Sequence, residues 1–287
     1  MSFPLATSHR IDEVGPGLLR KDLRAEALIG DARSKPAFAH DPRREPVVYR
    51  QLLMPAAVGP RCVDSGEDWL VLERIEAEPL WQSGEASTWV AVAAWMAGMH
   101  RRLAAGDARG LPLLVHDAGW FRTWRHRAAR AGVPASVLAC HEGAEARLTA
   151  LAPTFLHGDL YASNVLVRRG GSPPSVEVWP VDWELAGLGP AVLDVAALSS
   201  GSGWPTATRQ AMARAYYDAA HGADSGSGTT HDLAPSWGVW STDLDAARLH
   251  LCVQWLGWAP RWRPPPEHRH DWLGEAVALA ADLGGRL

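Results

Sequence analysis

The chain has 287 residues, enough for one large domain or two small lobes around a sizeable core, and its 47% hydrophobic and 21% charged residues are those of an ordinary globular protein. A net charge of −4 gives no electrostatic case for nucleic acid or an anionic membrane as partner. Cys62, Cys140 and Cys252 are too few and too far apart for a disulfide framework or a zinc knuckle. With no signal-peptide pattern at the start and no apolar run near the roughly 18 residues that span a bilayer, a cytoplasmic location is expected.

In chain order, residues 1–20 carry little regular pattern, and Gly17–Leu23 reads as a strand. A helix is expected over Asp41–Leu53, with Asp41 as its N-cap and Pro42 at the first helical position, although Pro46 blurs the start. Strands follow at Arg61–Val63 and Trp69–Ile75. From Ser87 the pattern turns helical: Trp89, Val92, Ala93, Met96, Met99, His100 and Leu103 recur at spacings of three and four. A second helical region covers 119–150. Two short strands, Ser163–Arg168 and Val176–Val181, form a hairpin across a Gly- and Pro-rich turn. Helices are predicted over 206–221, 243–257 and 271–283, the last capped by Asp271. The stretch 222–235 reads as a loop. The order is thus a small strand-rich N-terminal lobe over 1–75, a hinge near 73–76, and a larger helical lobe over 77–287.

The chemistry concentrates around that hairpin. In Phe155-Leu-His-Gly-Asp-Leu-Tyr-Ala-Ser-Asn164 and Val181-Asp-Trp-Glu184, an Asp is followed five residues later by an Asn and 23 residues later by a second Asp, each at the end of an apolar run. Phosphoryl transfer needs such a set: a carboxylate to orient and deprotonate a hydroxyl, and two oxygen ligands for Mg²⁺ on nucleotide phosphates. Asp159 is then the candidate base in a catalytic loop over 155–166, and Asn164 and Asp182 are the candidate metal ligands. His157 is expected to brace the loop through a hydrogen bond to Asp194. Glu184 either lines the site or caps the next turn.

Only two lysines stand against 26 arginines. A site that neutralises phosphate can need the compact ammonium, which arginine does not replace in geometry. Lys21, on the first strand and paired with Glu45 on the next helix, is the preferred one, with Lys35 as its rival. Glu73-Arg74-Ile75, between strand and helical lobe, offers backbone groups to an adenine edge, so Glu73 and Ile75 join the cofactor site. No G-x-G-x-x-G precedes Lys21, only Gly15-Pro-Gly17, so either the phosphate-covering loop is abbreviated or residues 30–40 take its place.

His-Gly-Asp-x-x-x-x-Asn followed by Val-Asp-Trp-Glu resembles the signature of the aminoglycoside phosphotransferase and choline kinase-like family. The resemblance is specific over 155–198. It implies an α+β, bilobal protein-kinase-like fold, ATP or GTP as donor, Mg²⁺, and the roles above for Asp159, Asn164 and Asp182. It leaves the acceptor open, among aminoglycosides and other antibiotics, choline, sugars and amino-acid-like alcohols, and with it any part in antibiotic resistance.

From Trp204 onward the chain has nine acidic residues, seven arginines and seven tryptophans. Most of these tryptophans are expected in the core, but Trp255-Leu-Gly-Trp-Ala-Pro-Arg-Trp-Arg-Pro-Pro-Pro266 is too rich in proline to be helix throughout. Trp258 and Trp262 are its candidates for an acceptor rim, since indole faces stack on sugar rings and on cationic amines. The expected acceptor is an aminoglycoside or amino sugar first, a neutral sugar or other antibiotic second and an amino alcohol such as choline third. The competing reading is a nucleotide-binding regulatory protein without turnover.

Overall fold

A computed structural model of the protein describes residues 9–29, 35–103, 105–170, 175–201, 203–222, 235–258 and 270–287. β1 (Ile11–Gly15) and β2 (Leu18–Asp22) form a hairpin with Ile11 opposite Lys21. β2 pairs on its other edge with β4 (Trp69–Glu73), and β4 pairs with β3 (Cys62–Ser65), giving an antiparallel sheet in the order β1-β2-β4-β3. β1 falls where little pattern was expected. As the outer strand it leaves Asp12, Glu13 and Val14 exposed, so no apolar alternation marks it.

The helix expected from Asp41 starts later. α1 (Arg44–Val48) runs on through a π-helical stretch (Tyr49–Leu53) into α2 (Met54–Ala56). Asp41 is not its cap; its Oδ1 accepts from the Arg43 N–H (3.0 Å), and Arg43 occupies the cap position. Beginning at Arg44 puts Pro46 in the first turn, where its missing N–H would have had no helical acceptor.

The helical part is built on one buried helix. α8 (Trp237–Trp258) begins six residues before its predicted start, and Leu244, Ala246, Ala247, Leu249, Leu251, Cys252 and Val253 bury most of its circumference, as befits a central helix. Around it pack α4 (Ala118–Arg130), α5 (Ala135–Thr149), α6 (Val192–Ser199) and α9 (Trp272–Leu283). The region expected as helical over 119–150 is thus two helices, parted at Gly132 (φ +88°) and Pro134. α3 (Ala86–Arg102) turns its predicted apolar face inward and lies along α7 (Thr206–His221). Asp271 caps α9 as expected, its Oδ1 accepting from Gly274 N–H (2.8 Å). No described helix is long and apolar enough to cross a membrane.

Two small sheets carry the site between these parts. β8 (Val165–Gly170) and β9 (Ser175–Pro180) form the predicted hairpin, extended by β5 (Glu78–Pro79). β7 (Pro153–Leu156) pairs with β10 (Gly187–Pro190), which also pairs with β6 (Leu114–Val115). β7 ends just before His157, β8 begins after Asn164, β9 ends two residues before Asp182, and β10 leads into α6.

His116, His141 and His250 are among the histidines buried in the helical part. His141 Nε2 and His250 Nδ1 lie 3.1 Å apart, which requires at least one ring to present a bare nitrogen. Burial pushes His116 down to about 4 and His141 to about 3, and holds His250 well below its usual range. These rings stay neutral in the folded chain, whereas the unfolded chain takes up protons near pH ~6.5. Their contribution is therefore complete above pH ~6.5 and is lost progressively below it. Thermal unfolding should show Tm falling from pH 7 to pH 5. His141→Gln, which does not titrate there, should lessen the fall, by on the order of 1 kcal/mol in stability at pH 5.

Candidate active site

The catalytic-loop segment is fixed from below. Phe155 and Leu156 are fully buried, and the chain then turns through Gly158 at φ +79°. A Cβ at that position would stand 2.1 Å from the Leu185 carbonyl oxygen, so only glycine lets the two segments pass. Asp194, in the first turn of α6, accepts from the backbone N–H groups of His157 (2.8 Å) and Gly158 (3.0 Å). His100 Nε2 lies 3.2 Å from the same carboxylate, and its Nδ1 lies 2.8 Å from the Tyr216 hydroxyl. His157 and Asp194 thus meet as expected, but through the main chain. The His157 ring instead donates from Nε2 to Val181 O (2.9 Å) and accepts at Nδ1 from Asp159 N–H (3.3 Å). Burial holds this ring below its ordinary pKa, in keeping with the neutral tautomer those two bonds need.

Asp159 and Asn164 are joined directly. Asn164 Nδ2 donates to the Asp159 carbonyl oxygen (2.8 Å) and to its Oδ2 (2.9 Å), which leaves the Asn164 amide oxygen as its remaining side-chain acceptor. Asp182 follows β9 in the left-handed region, at φ 67° and ψ 62°. Its carboxylate receives the Lys21 ammonium, and Lys21 Nζ also lies 2.7 Å from Glu45 Oε2. Glu45 Oε1 accepts from Trp183 N–H (3.1 Å). Burial alone would lower the Lys21 ammonium, but Asp182, Glu45 and Glu184 outweigh it and hold the group above its usual value.

Glu184 is buried and faces away from solvent. One oxygen pairs with Lys35, the other lies 3.1 Å from His9 Nδ1, and its carbonyl oxygen accepts from Arg44. Burial would raise its pKa; Lys35, His9 and Lys21 together bring it well below the usual carboxylate range. Asp159 goes the other way, pushed well above that range by burial and by the charges of Asp182 and Glu184.

Lys21, Glu45, Asn164 and Asp182 stand at one end of a cleft whose walls are apolar, Leu19 and Leu72 on the sheet side and Leu166 and Val181 on the other. Residues 73–77 close its far end. There the N–H groups of Glu73 and Arg74 are taken by Arg61 O (2.9 Å) and Gly17 O (2.8 Å), and Ile75 is the next residue along.

Of the two tryptophans singled out, Trp258 is half-buried and stacks on Trp124 (centroids 5.2 Å apart, planes at 10°). Trp262 lies outside the described residues. A nearer aromatic group was not anticipated. Tyr161, two residues beyond Asp159, receives a hydrogen bond from Trp255 Nε1 on its hydroxyl, and Trp255 stacks on Trp272 (5.6 Å, 17°). His270 and Glu275 adjoin them as a pair. The signal was a tyrosine inside the loop motif itself. His100 was likewise passed over, because on the apolar face of α3 it read as core.

Fold and site together are those of a small-molecule kinase, with a small antiparallel sheet beside a larger helical part. The chain matches the phosphotransferase enzyme family, APH, over residues 43–235, and it belongs to that family. Solved structures of like fold include choline kinase LicA from Streptococcus pneumoniae, 14% identical with a TM-score of 0.63, covering 96% of this chain and 90% of that one. A choline/ethanolamine kinase family protein from Mesorhizobium loti is 14% identical with a TM-score of 0.59, covering 99% and 88%. The GDP complex of a mutant aminoglycoside 2′-phosphotransferase-IIIa is 12% identical with a TM-score of 0.57, covering 99% and 94%. At such identities they establish the fold. No curated protein matches the sequence.

Replacing Asp194 by alanine would strand two buried N–H groups and His100 at once. A loss of about 3 kcal/mol or more is expected, read as a fall in denaturant midpoint, against less than about 1 kcal/mol for the exposed Asp282→Ala.

Proposed function

We propose that the chain is an ATP- or GTP-dependent O-phosphotransferase that moves the γ-phosphoryl group to a hydroxyl of a small polar acceptor. The observation that carries this is the convergence at one cleft end of the Asn164–Asp159 pair and the Glu45–Lys21–Asp182 chain, opposite a hinge suited to a nucleobase. In this reading residues 1–75 form the nucleotide lobe and 77–287 the acceptor lobe. The base lies between Leu19 and Leu72 above and Leu166 and Val181 below, with Ile75 offering it main-chain hydrogen bonds. Lys21 takes the phosphates.

Mg²⁺ suits the residues present. Lys21 and Lys35 oppose four carboxylates, Asp159, Asp182, Glu184 and Glu45, and Asp159 is pushed upward by burial first and then by the charges of Asp182 and Glu184. Asp182 and the Asn164 amide oxygen would hold the ion, with phosphate oxygens completing its shell. Bound there, it would neutralise charge on the phosphates. The chain's own part is positioning. Asn164 holds Asp159 so that its carboxylate accepts the acceptor's O–H. As the hydroxyl oxygen bonds to the γ-phosphorus, the bond to the bridging oxygen breaks with its electron pair leaving on the nucleoside diphosphate. The hydroxyl proton passes to Asp159.

On the acceptor side, Tyr161 ties the Trp255–Trp272 stack to the catalytic loop, and Glu275 with His270 adds a polar, acidic edge. Aromatic faces beside a carboxylate suit a hydroxylated ring bearing an amine, which supports an aminoglycoside or amino sugar ahead of a neutral sugar or a choline-like alcohol.

Purified protein with Mg²⁺ and nucleotide should turn over in the presence of one member of a panel of aminoglycosides, amino sugars, sugars and amino alcohols. Asp159→Asn should lower that kcat by about 10²- to 10⁴-fold while nucleotide Kd stays within a few-fold. Nucleotide binding with no transfer to any acceptor would favour a regulatory role. Trp272→Ala should raise the acceptor KM about tenfold with kcat little changed; an unchanged KM would remove Trp272 from the acceptor wall.

A further inference from the structure

The two lysines of this arginine-rich chain end in one charge cluster, and only Lys21 has a role in the reading above. Lys35 is just as buried: its side chain is 4% exposed, and its ammonium pairs with Glu184, two residues beyond Asp182. It is also near enough to Asp159 to favour the ionised carboxylate. The β1–β2 turn cannot cover this end of the cleft. Gly17 O accepts from Arg74 N–H (2.8 Å), which holds that turn at the hinge, while Lys21 stands near the opposite end of β2.

What does reach the phosphate end is the strap from Lys35 to His40. Phe38 packs edge-on against Trp120 (5.8 Å) and Trp124 (5.3 Å) of α4, and Arg44 donates to both Ala39 O (2.9 Å) and Glu184 O. His40 stacks on His9 (5.7 Å, 23°), whose Nδ1 is beside Glu184. The strap is thus pinned to the sheet side, to α4 and to the segment after Asp182, with a long cationic side chain directed into the cluster.

We propose that Lys35 is a second phosphate-binding group, which leaves Glu184 to contact the γ-phosphoryl when nucleotide binds, so that the strap 35–40 does the work of a glycine-rich phosphate loop. This rests on the nucleotide reading of the cleft. The geometry separates the two lysines by role: Lys21 is held by Glu45 and Asp182 on both sides, whereas Lys35 is paired with one carboxylate that has His9 as its other neighbour. An ammonium that exchanges one anion for another is itself never left unpaired.

The test is calorimetric binding of ADP and of a non-hydrolysable ATP analogue, each with Mg²⁺, to wild type and Lys35→Met. A γ-phosphate contact predicts that the variant binds the ATP analogue about 10- to 100-fold more weakly, while its ADP affinity changes by less than about threefold. Its kcat should fall with the acceptor KM unchanged. Equal weakening of both nucleotides, or none, overturns the proposal, since a merely structural role does not discriminate the third phosphate. If wild type binds neither nucleotide, the nucleotide reading falls and takes the proposal with it. Should the lone Glu184 carboxylate unfold Lys35→Met, Lys35→Met/Glu184→Gln removes that charge, and its ATP-analogue to ADP ratio is compared with that of Glu184→Gln.

Discussion

A lysine side chain 6% exposed near the end of a strand stays charged only if carboxylates come to it, and this requirement organises the site. Lys21 draws Glu45 from α1 on one side and Asp182 from beyond β9 on the other, so sheet, helix and catalytic hairpin meet at one nitrogen. Glu45 then spends its second oxygen on the Trp183 N–H, which fixes the residue after Asp182 as well. Such a buried cluster adds little net stability, because desolvation offsets much of the attraction. Its value is geometric. Any member removed leaves the others buried and uncompensated, so the register of three distant segments is strongly specified.

A second hub works in the helical part by the same logic with the main chain as its partner. Asp194 collects the His157 and Gly158 N–H groups and His100, linking the catalytic loop to α3, α6 and, through Tyr216, α7. The two hubs meet at His157, whose ring reaches the Val181 carbonyl just before Asp182. Between them they hold two residues in the left-handed region, Gly158 and Asp182. The glycine adopts it freely; the aspartate does so at a cost of about 1–2 kcal/mol, and such a conformation persists where the surroundings over-determine it. The strained residue carries the carboxylate that Lys21 grips.

How much of this was legible in the sequence follows from what each residue must do. Asp159, Asn164, Asp182, Lys21 and Glu45 stood out because the chemistry needs those side chains at those separations; Lys21, Glu45, Asn164 and Asp182 line one cleft, and Asp159 is hydrogen-bonded to Asn164. The order of strands and helices was readable where one face is buried, as along α3. Failures came where identity is a poor guide to partners. β1 is polar because it is an outer strand. The Asp41-Pro-Arg-Arg segment is a turn held by Asp41 and Arg43, chemically indistinguishable in the sequence from a helix cap. His157 was assigned a side-chain bond to Asp194 that the backbone makes instead, and main-chain donors leave no trace in residue type. Glu184 could not be placed without knowing that His9 and Lys35, 175 and 149 positions away, fold back on it.

That last contact bears on how one fold serves many acceptors. The residues proposed for phosphoryl transfer are spread over β2, α1 and the two small sheets and are tied by hubs that join helices, so they tolerate little change. The aromatic wall is different: Tyr161 belongs to the catalytic loop, but Trp255 and Trp272 come from the end of α8 and the start of α9, where side chains leave the core. Substitution there alters ring faces and charge without touching Lys21, Asp182 or Asp194. Tyr161 is the joint between the two, holding Trp255 through its hydroxyl while its backbone N–H bonds the Asp159 carbonyl oxygen (2.8 Å). Under the proposed roles, the aromatic wall is thereby positioned against Asp159 by the loop that carries it, so a change of acceptor would not need to move the hydroxyl's point of attack.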